Sequence, residues 1–414
     1  MSTLPKLALI PSGYKASKVY SALPTNGDGD FTFSRTSNAT RVNENGFIET
    51  VDSNVPRLDY SDSNCPSLLL EPSATNYIIE SEDFSIWGWT GSVSRTPNST
   101  ISPDGKNNAY LLEDTGNGDD FYYITYTNDF SGMTMTVSCF FKFGTSDYAT
   151  IFLVANGIAD RIIVKSDNTL FYASPNIDSS NIEVYKNGWT RVSATFTVGT
   201  SNTYIQTRIY PSYTDGTSTG RVNSSTGNLY VWGAQLEQGS YSTSYIPTEG
   251  STVTRTVDSC LNGGDANLFN DSEGTLFVDL ENFDATSSRI TLSNGFASNR
   301  ISFLFYGSSS GAPNRIRFYL ERESQIQVDS LYNITYTFNQ RNKIAFRYKQ
   351  NDFKAYINGI EVFSDTIGNT PIGLSRLDFS QENQSSNFIE GKINDTRYYN
   401  TALTDAELQA LTTL

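Results

Sequence analysis

Thr190-Arg191-Val192-Ser193-Ala194-Thr195-Phe196-Thr197-Val198, followed after three residues by Asn202-Thr203-Tyr204-Ile205-Gln206-Thr207-Arg208-Ile209-Tyr210, alternates from one residue to the next. A period of two marks a strand with one buried face, because successive side chains of an extended chain point to opposite sides. Both runs are rich in β-branched and aromatic residues, which pack well on a pleated surface. Similar short runs recur along the 414 residues, separated by turn pairs such as Asn187-Gly188, Asp215-Gly216 and Asn358-Gly359. Many short strands at regular spacing predict an all-β chain of two β-sandwich (jelly-roll) domains. One segment departs from this pattern. Thr404-Asp405-Ala406-Glu407-Leu408-Gln409-Ala410-Leu411 reads as a short C-terminal helix, with Thr404 as N-cap and Glu407 closing a capping box.

Composition removes several classes of function. The chain carries 44 acidic and 29 basic side chains, a net charge of −15, and such a surface repels phosphate backbones. No nucleic-acid partner is expected. There is no histidine, which excludes Ser-His-Asp and Cys-His nucleophiles, imidazole metal ligands and histidine acid–base chemistry. Cys65, Cys139 and Cys260 have neither zinc-site nor disulfide-framework spacing; Cys139 reads as a small core residue, and a Cys65–Cys260 bridge is left open. The longest apolar run, Ile151 to Ala155, is far too short to insert in a membrane. The N-terminal Leu7-Ala8-Leu9-Ile10 run, broken by Pro11, is too short for a signal peptide.

Three zones are expected. Residues 1–72 are rich in Pro and Asn, with too few regular apolar positions for a core of their own, and form an extended N-terminal segment that attaches to a partner. Residues 73–250 hold all four tryptophans and strands enough for one jelly roll. Residues 258–414 hold a second strand series ending in the helix.

The first two zones carry specific phrases. They run from Leu9-Ile10-Pro11-Ser12-Gly13-Tyr14 through Phe31-Thr32-Phe33-Ser34-Arg35 and Ala39-Thr40-Arg41-Val42-Asn43 to Gly46-Phe47-Ile48-Glu49. Pro56-Arg57-Leu58-Asp59-Tyr60, Leu68-Leu69-Leu70-Glu71-Pro72 and Ser81-Glu82-Asp83-Phe84-Ser85 follow, and Trp232-Gly233-Ala234-Gln235-Leu236-Glu237 with Thr243-Ser244-Tyr245-Ile246-Pro247-Thr248 closes the middle zone. These phrases resemble bacteriophage tail or head fibre proteins whose middle domain is similar to carbohydrate-binding-module jelly rolls. The last zone resembles concanavalin A-like, laminin G-type lectin domains through Gly274-Thr275-Leu276-Phe277-Val278-Asp279, Lys354-Ala355-Tyr356-Ile357-Asn358-Gly359 and Ile393-Asn394-Asp395-Thr396-Arg397-Tyr398-Tyr399.

What the resemblance implies is a non-catalytic virion appendage, exposed on the particle, that binds host-surface glycans and other virion proteins. By analogy with fibres it is a homo-oligomer, with a trimer the first expectation. The alternatives are a purely structural decoration subunit and a capsule-degrading glycoside hydrolase. Carboxylates are the only catalytic groups left for a hydrolase, yet the Glu-x-Asp-x-x-Glu spacing of catalytic concanavalin A-like enzymes is absent from the chain.

Sugar recognition needs an exposed aromatic face flanked by polar groups. Trp87 and Trp89, spaced to share one strand face, and Tyr122 and Tyr123, after the polar loop 116–120, are the candidates; Trp189 and Trp232 read as core. The acidic surface favours neutral or cationic saccharides. No cofactor is required. Jelly rolls similar to the middle zone hold a structural calcium between their first and last strands, which places Glu82 and Glu237 as its ligands. Thr25-Asn26-Gly27-Asp28-Gly29-Asp30 lacks the downstream Glu of a calcium loop and reads as a turn.

Overall fold

The computed structural model describes residues 3–116, 118–155, 158–212, 226–283, 287–307, 315–332, 338–381 and 386–414. The expected Asp215-Gly216 turn and Asn117 of the polar loop lie outside them. The described residues are nearly all-β, 53% strand and 3% helix, in several sheets. The chain divides into two compact units. The first is Met1–Arg41, Val51–Ser73 and Thr256–Leu414; the second is Val42–Thr50 and Ala74–Arg255.

The first unit rests on two large sheets. In the larger, the order is Ile360–Asp365, Asp352–Ile357, Arg341–Lys349, Glu273–Asn282, Gly391–Tyr399, Ser67–Leu70, Arg57–Asp59, and Leu7–Leu9 also pairs with Gly391–Tyr399. The other runs Gln325–Tyr332, Arg315–Arg322, Arg300–Tyr306, Ser287–Ser293, Arg376–Asp378. Residues from the N-terminal zone are therefore strands of the same sheet as the C-terminal domain. Leu7, Leu9, Phe31, Phe33, Leu58, Leu68 and Leu70 enter one core cluster with Leu276, Phe303, Phe346 and Ile393. An extended segment lacking its own core is the sequence expectation; the structure supplies that core from residues more than 200 positions away.

The phrases of this zone are also tied down electrostatically. Asp258 accepts from Arg35 Nη1 at 3.0 Å, from Arg57 Nη2, and from the Glu71 amide at 3.0 Å. Arg57 Nη1 donates to Glu71 Oε2 at 2.6 Å, and all four groups are buried. Removed from water, such charges persist only when paired and hydrogen-bonded. The Asp258 and Glu71 carboxylates raise the Arg57 pKa against the burial that would lower it.

The C-terminal helix spans Asp405–Thr412 with Thr404 as N-cap and the full capping box. Its Leu408 is buried against Phe277, Ala345, Tyr356 and Tyr399. The hairpin at Asn358-Gly359 has φ of 49° and 82°, the two positive angles that pair tolerates best. Asn26 and Asp28 bond to each other and Asp30 accepts from the Ser21 amide, so residues 25–30 form a turn.

The second unit contains two six-stranded sheets. One is ordered Gly88–Thr90, Phe121–Thr127, Tyr204–Tyr210, Tyr148–Ala155, Ile158–Lys165, Leu170–Ala173; the other Val93–Thr100, Ala109–Asp114, Gly227–Gln238, Thr134–Phe143, Thr190–Thr197, Ile177–Val184. Their shared core includes Leu112, Val137, Cys139, Ile151, Val192, Ile209 and Val231. Trp189 and Trp232 are buried as expected, in a satellite cluster with Phe140 and Tyr245. All three cysteines are free, Cys65 exposed and the other two buried. Among the described residues, no helix is long and apolar enough to cross a membrane.

Candidate functional site

In the first of these six-stranded sheets, Tyr122, Ile209, Ile151 and Ile162 stand in register across four strands and all enter the core. Alternation then sends their neighbours to the opposite face. There, Tyr123 is paired with Arg208, Arg208 with Phe152, and Phe152 with Arg161. Aromatic and guanidinium groups thus alternate along one line across the sheet, each half-buried. A second line beside it places Tyr210 opposite Thr150, Thr150 opposite Ile163 and Ile163 opposite Tyr172. Phe121 closes this line, its ring 5.1 Å from that of Tyr210.

Packing fixes these groups in place. The Arg208 guanidinium lies 4.5 Å from the Phe121 ring and 5.6 Å from the Phe152 ring. Arg161 lies 5.6 Å from Phe152 and 5.8 Å from Tyr172, and the Lys165 ammonium 5.2 Å from Phe171. Cations over ring faces at these distances are attracted by the ring quadrupole, more strongly where water is partly excluded. Arg208 Nε donates to Gln206 Oε1 at 2.6 Å, and Gln206 Nε2 donates to Thr125 Oγ1 at 3.0 Å. Gly88 faces Tyr123 across the edge pair, and a Cβ there would come within 2.5 Å of the tyrosine ring. Only glycine leaves room for that ring to lie over the edge strand.

The four predicted aromatics separate. Trp87 and Tyr122 are each 1% exposed and belong to the core, and Trp87 stacks on Phe84 at 4.8 Å. Burial raises the Tyr122 pKa well above its ordinary value. An exposed Trp87–Trp89 platform is therefore corrected: the sandwich closes over Trp87. Trp89 is 57% exposed, with the Arg95 guanidinium 5.0 Å from its ring. Trp89 and Tyr122 share one side of the sheet by register, and Tyr123 takes the other. Of the four, only Tyr123 joins the aromatic–arginine face.

Sequence reading missed Phe152, Arg161, Arg208 and Tyr210. The available signal was aromatic residues on the face opposite the shared core, as in Tyr148-x-Thr150-x-Phe152 and Arg208-x-Tyr210, where polar side chains are usual; there they build a second, smaller cluster with Phe121 and Ile163.

The Glu82–Glu237 pair does not fit calcium. Glu237 is fully buried and accepts from Gln235 Nε2 at 2.6 Å, the Thr243 amide at 2.9 Å and the Thr243 hydroxyl at 2.6 Å. Glu82 accepts from Asn108 Nδ2 at 3.0 Å and the Tyr245 hydroxyl at 3.1 Å. Both acids thus spend their oxygens on protein donors, and among the described residues no group of three or more acids or thiols is gathered. Burial raises both pKa values, joined at Glu82 by the nearby Asp104 carboxylate. The closing phrase of the middle zone is a structural clasp: Asn76 Oδ1 accepts the Leu236 amide at 3.1 Å, and Gln235 Oε1 accepts the Ile246 amide at 2.7 Å.

The first unit carries its own cation–aromatic cluster, already neutralised. Arg300 and Arg317 each lie 5.0 Å from the Tyr319 ring. Arg317 donates twice to Asp329, at 2.6 Å each, and Arg300 donates to Glu321 at 3.0 Å.

Residues 262–409 match the family model of the Concanavalin A-like lectin/glucanases superfamily. No curated protein matches the chain. Solved structures similar to it include the CBM40 module of the Ruminococcus gnavus IT-sialidase bound to alpha2,3 sialyllactose, 14% identical, TM-score 0.31, covering 36% of this chain and 86% of that one. Domain 4 of the Geobacillus stearothermophilus arabinanase AbnA with arabinotriose is 16% identical, TM-score 0.32, covering 42% and 82%. The NanB sialidase of Streptococcus pneumoniae is 18% identical, TM-score 0.30, covering 36% of this chain and 25% of that one.

Proposed function

We propose that this chain is a non-catalytic glycan-binding protein and that the second unit binds saccharide on its aromatic–arginine face. The observation that carries this reading is the Tyr123–Arg208–Phe152–Arg161 line, where half-buried rings, packed on the buried Phe121, Ile163 and Tyr210, stand beside fixed hydrogen-bond donors. Ring faces accept the C–H face of a pyranose, and guanidinium groups take its oxygens. The match of residues 262–409, in the first unit, to the Concanavalin A-like lectin/glucanases superfamily supports a saccharide-directed role for the chain. Against hydrolysis stand the absent paired-glutamate spacing and the absence of histidine. The virion setting rests on the resemblance of the phrases in residues 1–85 to phage fibre proteins. In that setting the chain is an oligomeric fibre subunit displaying weak sites, whose avidity comes from linkage.

The full chain on an array of bacterial surface polysaccharides, with reducing-sugar release measured in parallel, tests the reading. Binding without release is expected. Release would make it a hydrolase. Absence of binding to every glycan would leave a structural subunit that binds only other virion proteins.

A further inference from the structure

We infer that Arg208 is an anion-reading centre and that the saccharide taken by this face is acidic, a sugar bearing a carboxylate. This rests on the glycan-binding reading above and names the ligand class of the same face. Arg208 occupies the middle of the line, flanked in register by Tyr123 and Phe152. Its Nε is committed to Gln206, which is itself held by Thr125, and the Phe121 ring lies under the guanidinium. The plane of the fork is thereby set, while among the described residues no carboxylate pairs with it. An arginine held in this way presents its two Nη groups in the geometry that a carboxylate accepts bidentately.

The surroundings are cationic. Arg161 and Lys165 share the face, with the exposed Asp167 carboxylate near Lys165 at its end. Asp160, on the same strand as both cations, is 3% exposed and accepts from Asn176. Arg300 and Arg317 of the first unit, by contrast, are each occupied by a carboxylate of the protein itself. At Arg208 the carboxylate comes from the ligand, and the neighbouring rings receive the pyranose. The net charge of −15 does not forbid this. Charges beyond roughly 8 Å are screened at physiological salt, so the local cations govern a ligand in contact with them.

The test titrates the full chain with galacturonate oligomers, glucuronate-containing oligosaccharides and a sialyl-terminated trisaccharide, each beside its carboxyl-reduced counterpart. The acidic form should bind about ten- to a hundredfold more tightly, the range of a charge-assisted hydrogen-bond pair. Arg208→Gln should weaken binding of both forms but the acidic one far more, so that the preference for the acidic form is lost, and Arg208→Lys should restore that preference only in part. Tryptophan emission checks that the variants fold, since all four tryptophans lie in the second unit. Equal binding of acidic and reduced forms overturns the acidic assignment and leaves glycan binding standing. An acid preference that survives Arg208→Gln overturns the role of Arg208. Failure of wild type to bind any acidic probe overturns the inference, and failure to bind neutral glycans as well removes the glycan-binding reading with it.

Discussion

Asp258→Asn is a sharp perturbation of the first unit because it changes charge without changing volume. In the folded chain Arg35 and Arg57 are buried with two carboxylates, Asp258 and Glu71. The substitution leaves two buried guanidiniums facing one carboxylate. Removing one partner of a buried ion pair costs about 3–5 kcal/mol. Cys260 reports the loss, since it is 1% exposed and lies two residues from the change. Burial holds its thiol well above the ordinary pKa, so it reacts with a thiol reagent only when the first unit opens. With opening and closing fast compared with labelling, the rate at Cys260 follows the population of the open state. It should therefore rise roughly a hundred- to several-thousand-fold, tenfold for each ~1.4 kcal/mol. Peptide mass spectrometry separates this thiol from exposed Cys65, which should label at once in both proteins, and from Cys139 in the second unit. A Cys260 rate within a few-fold of wild type would refute the claim that the N-terminal phrases are held by this network.

Other expectations concern the second unit. Glu82 and Glu237 have raised pKa values, so the folded form holds their protons more tightly than the unfolded chain. Stability should then increase as pH falls from neutral toward the ordinary carboxylate value of 4.5, seen as a rising tryptophan-detected Tm. Glu82→Gln should flatten that slope, and a Tm that falls through the same window contradicts the assignment. Trp87→Ala should cost about 3–5 kcal/mol in urea unfolding as a core truncation, and Trp89→Ala less than about 1. Gly88→Ala should displace the Tyr123 ring and weaken glycan affinity in calorimetric titration, with unfolding changed far less than by Trp87→Ala. In the first unit, Thr404→Ala should cost about 1 kcal/mol by removing the helix cap, read from the calorimetric transition.

What the sequence made legible was local. Alternation at 190–198 and 202–210 identified strands, Asn358-Gly359 identified its turn, and Thr404 with Glu407 identified the helix start, because each signal is complete within a few residues. The placement of residues 1–72 was not legible. Leu7–Leu9 pairs with Thr396–Tyr398, and Arg35 finds Asp258 across 223 positions, which no local pattern encodes. The site was half legible. Tyr123 was named, but its neighbours Arg208, Phe152 and Arg161 come from three other strands whose order in the sheet differs from their order in the chain. Trp87 and Trp89 carry the same local signal and meet opposite fates. The first lies within the sandwich and the second on an edge strand beyond it.

Hydroxyl-radical footprinting of the full chain, free and saturated with the tightest-binding saccharide of the acidic panel, locates the ligand directly. Binding on the aromatic–arginine face predicts protection of Tyr123 and Phe152, with Trp89 and the Tyr319 cluster of the first unit labelled as in the free protein. Protection at Trp89 or Tyr319 with Phe152 unchanged would contradict the assignment of this face.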